Sequence, residues 1–131
     1  RFLRFGMVVQ AYSDAHQQAT SASLLTGKDV VIAVSHTGAT LELLDTVRTA
    51  REAGAAVIII TSHVHSPLAK LGDIVLHGMG REVHYSSEAV SSRLIHMAIT
   101  DALYTAIAMQ SPKDYRRNLQ KMRAVIAKKR T

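Results

Sequence analysis

Asp29-Val30-Val31-Ile32-Ala33-Val34-Ser35-His36-Thr37-Gly38-Ala39-Thr40 is an unbroken apolar run that stops abruptly in a turn rich in hydroxyls. A run of this length without polar alternation suits a parallel strand covered on both faces. A helix is predicted directly after it, from about Thr40 to Ala53, because Leu41, Leu44, Val47 and Arg48 fall at helical spacing. Gly54 is its natural stop. A second buried strand follows at Ala56 to Thr61, with Val57-Ile58-Ile59-Ile60 at its centre. Strand, helix and parallel strand joined by short connections make a βαβ unit, so the fold class is α/β, a three-layer αβα arrangement around a parallel sheet.

Outward from this unit the alternation continues. Met7-Val8-Val9-Gln10-Ala11-Tyr12 reads as a strand, and Asp14 as the cap of a helix running to about Leu25 and stopped by Thr26-Gly27. Ser66-Pro67-Leu68 reads as an N-cap, a proline at the first helical position and a short helix ending near Gly72. Asp73 to His77 gives a further strand. A long helix is predicted from about Ser87 to Met109; Val90, Leu94, Met97, Ile99, Leu103, Tyr104 and Ile107 make it apolar over much of its surface, which calls for deep burial or an interface. Ser111-Pro112-Lys113-Asp114 restarts the chain as a capping-box variant. Tyr115, Leu119, Met122 and Ile126 then form a short seam suited to a partner helix or to packing back on the domain.

The 131 residues are the size of one domain, and 47% hydrophobic with 20% charged residues fits a globular core. No apolar run reaches membrane-span length, and Arg1 to Gly6 lack a signal peptide's apolar region. Without cysteine there are no disulfides and no thiolate metal sites, which is compatible with the cytoplasm. The net charge of +6 is concentrated in the tail: Lys113 to Thr131 holds eight basic residues and one acidic, while the remainder is near neutral. A basic tail is either a solvated helix face or a contact for nucleic acid. A neutral body excludes a broad nucleic-acid surface.

The turn Ser35-His36-Thr37-Gly38-Ala39-Thr40 carries the chemistry. Ligands of open α/β sheets bind at the carboxyl ends of strands. The helix that starts there offers unpaired N–H groups and positive dipole potential to an anion. Ser35, Thr37 and Thr40 converge on that place, and Gly38 lets the backbone approach a bound group. Hydroxyls and amides without Lys or Arg fit a phosphate monoester and lack the Gly-Lys-Ser/Thr of a nucleotide P-loop. Ordinary helix capping uses the same residues, so the chemistry alone leaves both readings open.

Ser-x-Thr-Gly-x-Thr after such a strand resembles the phosphate loop of SIS (sugar isomerase) domains. Arg1 to Gly6, Ser13-Asp14 with Ser21 to Leu25, Ala50 to Ala55, Thr61-Ser62, Ser66 to Ala69, Ser92-Arg93-Leu94 and Asp101-Ala102-Leu103 are similar to segments of the sensor domains of RpiR-type transcriptional regulators. Tyr115-Arg116-Arg117-Asn118-Leu119 resembles the tail of the hexose-catabolism repressors among them. The resemblance implies a flavodoxin-like sheet of order 2-1-3-4-5, from which the central first strand is missing in this chain. It sets the phosphosugar-binding domain at 1–112 and a basic helix at 113–131 that packs on the domain or a dimer partner. It implies a cytoplasmic, non-enzymatic effector domain with no cofactor that binds a sugar phosphate or phosphorylated sugar acid. Operator DNA would be contacted by a separate helix-turn-helix domain, in a homodimer or a dimer of dimers. The alternative is a sugar-phosphate isomerase of the same family.

The resemblance places the phosphosugar on Ser35, His36, Thr37, Gly38 and Thr40, with Ser87 and Glu88 selecting the sugar end, near Ser86. Glu88 is equally what the first turn of a helix favours. His63, His65, His77 and His84 raise the question of a metal but match no ligand pattern, and no metal is expected. His36, inside the loop, either faces a ligand or caps a neighbouring group.

Overall fold

A computed structural model describes residues 1–81 and 89–128. The chain divides into two compact units, one of Tyr12–Ile99 and one of Arg1–Ala11 with Thr100–Thr131.

The larger unit contains a three-stranded parallel sheet of order β1-β2-β3, formed by β1 (Val30–Ser35), β2 (Ala56–Thr61) and β3 (Ile74–His77). Its helices are α1 (Ala15–Ser23), α2 (Leu41–Glu52) and the start of α3 (Val90–Gln110). Central β2 is paired on both edges, and its Val57, Ile59 and Ile60 are fully buried, which is why this strand reads as a continuous apolar run. On one face Ala33, Val57 and Ile59 pack with Leu44 and Val47 of α2 and with Leu68. A second cluster of Ala22, Ala50 and Ala55 joins α1 to α2 through small side chains.

The caps follow the sequence closely in this unit. Asp14 accepts from the Gln17 N–H at 3.0 Å and starts α1. Gly54, at φ +90°, takes the left-handed conformation just beyond α2. Arg51, near the end of α2, donates to Asp73 at 3.0 Å, and Asp73 accepts from the Val57 N–H at 2.7 Å. Those two donors, the backbone one foremost, hold the Asp73 carboxyl below the usual carboxylate range. The expected short helix after Ser66-Pro67 is one 3-10 turn, Ala69–Leu71, with Ser66 accepting from the Ala69 N–H at 3.2 Å.

Three expectations are corrected. Residues 7–12 form no strand: the sheet among the described residues consists of β1, β2 and β3, and an apolar segment becomes a strand only where a neighbour takes its N–H and C=O groups. The capping box at the start of α4 (Pro112–Ala127) is not made; Ser111 is not in the extended conformation of a cap, its hydroxyl makes no cap bond, and Asp114 pairs with Arg117 at 2.8 Å. Nor is α3 deeply buried. Ser92, His96 and Tyr104 lie inside, whereas Leu94 and Met97 are 65% and 68% exposed, because one chain covers only one side of the helix. Residues 82–88, including the expected helix start at Ser87, lie outside the described residues.

In the smaller unit, a 3-10 turn at Phe2–Phe5 ends in Gly6 at φ +77°. Phe2 and Phe5 join Tyr104 and Tyr115 in an aromatic cluster with centroids 5.1–6.1 Å apart. Tyr104 donates to the Tyr115 hydroxyl at 2.8 Å. On α4, Tyr115 and Leu119 are half-buried, while Met122, Val125 and Ile126 of its apolar side are exposed.

Candidate functional site

The sheet register places Ser35 beside Thr61, and Thr61 beside His77, so the three strands end level with one another. The segments that follow them therefore gather at one end of the sheet. Two of these segments are locked together. The His36 carbonyl accepts from the Ser62 N–H at 3.2 Å, the Thr61 hydroxyl at 3.3 Å and the His63 ring N–H at 2.9 Å. The Gly38 carbonyl accepts from the Leu68 N–H at 3.0 Å.

Within the loop, the hydroxyls do different work from one another. Ser35 is buried, and its Oγ accepts from the Gly38 N–H at 3.0 Å, closing the turn on itself. Thr37 is exposed, and its Oγ1 accepts a long bond of 3.4 Å from the Ala39 N–H. Thr40 is exposed, extended, and does not cap α2 with its side chain. The first three N–H groups of α2, on Leu41, Glu42 and Leu43, have no intrahelical acceptor and receive none from Thr40. The three hydroxyls therefore do not converge as equals: Ser35 builds the turn, and Thr37 and Thr40 are left outside it beside the open helix end.

Gly38 also has a more local reason than ligand approach. Its φ is +63°, and a Cβ there would lie 2.2 Å from Ser66 Oγ and 2.6 Å from Ser66 Cβ. Only glycine lets the first loop seat against the second.

His36 is half-buried and turns Nδ1 inward to Ser62 Oγ at 3.0 Å. Ser62 Oγ donates to the Gly78 carbonyl at 2.9 Å and lies 3.0 Å from His96 Nε2. His96 Nε2 is also 3.0 Å from the Gly78 carbonyl. The sequence reading missed Ser62 and His96. The available signal was His96 itself, a titratable residue midway along an otherwise apolar stretch of α3. Burial foremost, together with the neighbouring His36 and His77, pushes the His96 imidazole below the usual histidine range, against the pull of its bond to Gly78.

This depression has a pH consequence. Between the lowered folded value and the ordinary value of about 6.5, the unfolded chain binds the extra proton and the folded chain does not. The contribution of neutral His96 is thus fully present above about pH 6.5 and is lost as pH falls below it. Urea unfolding between pH 8 and 5 is expected to show this acid-side loss, and His96→Gln is expected to flatten it. An unchanged slope in the variant counts against a buried neutral His96.

Other expected residues are placed as follows. His63 Nδ1 and His77 Nε2 donate to the carbonyls of His36 and Ser62, at 2.9 and 3.1 Å. Among the described residues no group of three or more His, Asp or Glu is arranged to hold a metal. No helix among them is long and apolar enough to cross a membrane. His84, Ser86, Ser87 and Glu88 lie outside the described residues.

Comparison with known proteins gives a consistent set. Residues 1–106 match the family described as SIS domain. The HTH-type transcriptional regulator RpiR of Escherichia coli is 36% identical over 96% of this chain and 43% of its own length. A bifunctional protein glk of Paraburkholderia xenovorans is 40% identical over 84% of this chain and 17% of its own. The chain thus spans less than half the length of these relatives. Among solved structures, the Vibrio vulnificus NanR protein complexed with ManNAc-6P superposes with a TM-score of 0.85 at 26% identity, over 96% of this chain and 47% of that one. The sugar isomerase domain of an RpiR transcription factor from Sphaerobacter thermophilus superposes at 0.72 with 22% identity, over 92% of this chain and 66% of that one, a likeness of fold.

Proposed function

We propose, from the premise that this chain belongs to the SIS domain family, that it is the phosphosugar-sensing part of a bacterial transcriptional regulator and not an enzyme. The observation that carries this is the open amino end of α2, flanked by the exposed hydroxyls of Thr37 and Thr40 at the carboxyl end of a parallel sheet. The likeness to a NanR complexed with ManNAc-6P and to regulators named RpiR supports a phosphorylated sugar or sugar acid as the ligand. Thr37, Thr40 and the first amides of α2 hold the phosphate. Ser35 and Gly38 shape the turn and His36 lies beside it, while Ser87 and Glu88 select the sugar end.

Residues 1–112 are the sensing domain in this reading, and the helix at 113–131 packs on it or on a partner. A separate helix-turn-helix domain contacts operator DNA in the cytoplasm. Ligand acts by favouring one arrangement of two sensor domains over another, since only a difference in affinity between two states shifts them. The exposed stripe of Val90, Leu94 and Met97 on α3 is the surface for the second copy. Exchanging Leu94 and Met97 for glutamate is expected to convert a dimer into a monomer in sedimentation velocity. A wild-type monomer at high concentration, or a dimer untouched by both changes, excludes that surface.

Incubation with aldose and ketose phosphates separates the sensor from its rival, the isomerase. Saturable binding without interconversion is expected; turnover of any of them makes the chain an isomerase. Thr40→Val is expected to weaken binding by about 1–3 kcal/mol, the range for losing a hydrogen bond to a charged group. Calorimetry that finds equal affinity removes Thr40 from the site.

A further inference from the structure

We propose that the outward face of α4 is a contact for the phosphate backbone of duplex DNA, held by charge and indifferent to base sequence. This contact is independent of the sugar-phosphate site.

The helix has a fixed inner side. Tyr115, Asn118 and Leu119 are its half-buried residues. The Tyr115 ring lies 5.8 Å from that of Phe5, and its hydroxyl accepts from Tyr104 at 2.8 Å. Met122 and Ile126 prolong the same line toward the end of the helix. With about 100° between successive residues, Lys113, Arg117, Lys121 and Lys128 fall within a sector roughly 80° wide on the opposite side. Arg116 and Arg123 flank that sector along one edge. All six are exposed.

The charge on this face is almost unopposed. Asp114 is the single acid between residues 112 and 128. It pairs with Arg117 at 2.8 Å, the two side chains being 61% and 64% exposed, and a pair so open to water contributes little and releases its arginine readily. The chain before Lys113 is near neutral, so the positive charge belongs to this helix and not to the protein at large.

Three kinds of partner fit a basic helix, and the orientation of α4 separates them. A lipid surface takes such a helix by its apolar side, and that side is turned inward here at Tyr115 and Leu119. A second copy of α4 would set like charges against each other. Duplex DNA needs only the outward face. Lys113, Arg117 and Lys121 form a row that steps by four residues, about 6 Å a step. The duplex carries one negative charge per about 1.7 Å of its axis, so each cation of the row finds a phosphate in any register. Contacts to phosphate carry no base information, which makes the affinity the same for every sequence.

The test is fluorescence anisotropy of a labelled duplex of about 20 base pairs, titrated with the chain between roughly 50 and 200 mM salt, the range over which phosphate contacts are lost. Binding is expected to weaken with salt at a log–log slope of about −3 to −5, for four or five phosphates. Lys113→Gln with Lys121→Gln is expected to reduce that slope by about 2 and to weaken binding at least about tenfold at the lowest salt. Lys113→Arg with Lys121→Arg is expected to keep the wild-type slope. Lys28→Gln with Lys70→Gln, which removes the same charge from exposed positions elsewhere, is expected to keep it too. A duplex of scrambled sequence is expected to bind equally well.

No salt-sensitive binding overturns the contact. An equal loss in the two glutamine pairs reduces it to net charge and overturns the role of the face. Preference for one duplex sequence makes α4 a reader of bases and overturns the backbone contact. Attachment to vesicles of phosphatidylcholine and phosphatidylglycerol, with no duplex binding, gives the helix to a lipid surface instead. None of these outcomes touches the sugar-phosphate site, whose failure would show in sugar-phosphate calorimetry and leave the duplex titration unchanged.

Discussion

Gly38→Ala is expected to destabilise the larger unit by at least about 3 kcal/mol and to abolish anion binding. Two independent penalties act at this position. A φ of +63° is strained for an L side chain, by about 1–2 kcal/mol. The added methyl would also sit 2.6 Å from Ser66 Cβ, an atom on the backbone's own anchor that cannot swing away like a side-chain tip. Relief requires the two loops to part, which breaks the Leu68 N–H bond to the Gly38 carbonyl and the Gly38 N–H bond to Ser35. Urea unfolding measures the first effect and calorimetry the second. Adding Ser66→Gly should restore part of the stability by removing the clash, while the strain in φ remains. A folded Gly38→Ala protein with wild-type affinity is incompatible with this loop as the site.

Ile59→Ala is expected to cost about 2–5 kcal/mol, the range for emptying a fully buried aliphatic position. Ile59 lies at the centre of β2, at 0% exposure, among Ala33, Leu44, Val47, Val57 and Leu68. Its removal leaves a cavity between the sheet and α2 without touching the loop. Anion affinity, measured well below the unfolding midpoint, should therefore stay as in the wild type. The contrast between the two substitutions separates a platform residue from one that shapes the site.

The elements that the sequence spelled out plainly are those whose reasons are local or nearest-neighbour. The strand β2 is legible because double-sided burial turns its residues into an unbroken apolar run, and β1 and β3 are legible as the shorter apolar runs that pair with its two edges. Asp14 and Gly54 are legible because caps act within one turn. Residues 7–12 were misjudged because an apolar segment reports what a strand would bury, not whether a pairing partner exists. Ser111 and Asp114 were misjudged because the acid had a second choice, Arg117 three residues on.

The candidate loop was legible as a position but not in its internal contacts. A hydroxyl-rich turn between strand and helix is visible in Ser35 to Thr40. That Gly38 is required by Ser66 depends on a contact between residues 28 apart in the chain, which no motif records. The same holds for Ser62 and His96, which meet only because the sheet register brings the ends of β2 and β3 against α3.

The most direct measurement is an amide chemical-shift titration of the ¹⁵N-labelled chain with N-acetylmannosamine 6-phosphate and a series of other sugar phosphates. Saturable shifts are predicted at Thr37, Ala39 and Thr40 and at Leu41, Glu42 and Leu43, strongly reduced in Thr40→Val. Saturable binding whose shifts fall elsewhere and spare these six amides, or no response to any phosphorylated sugar, contradicts an anion site at the start of α2.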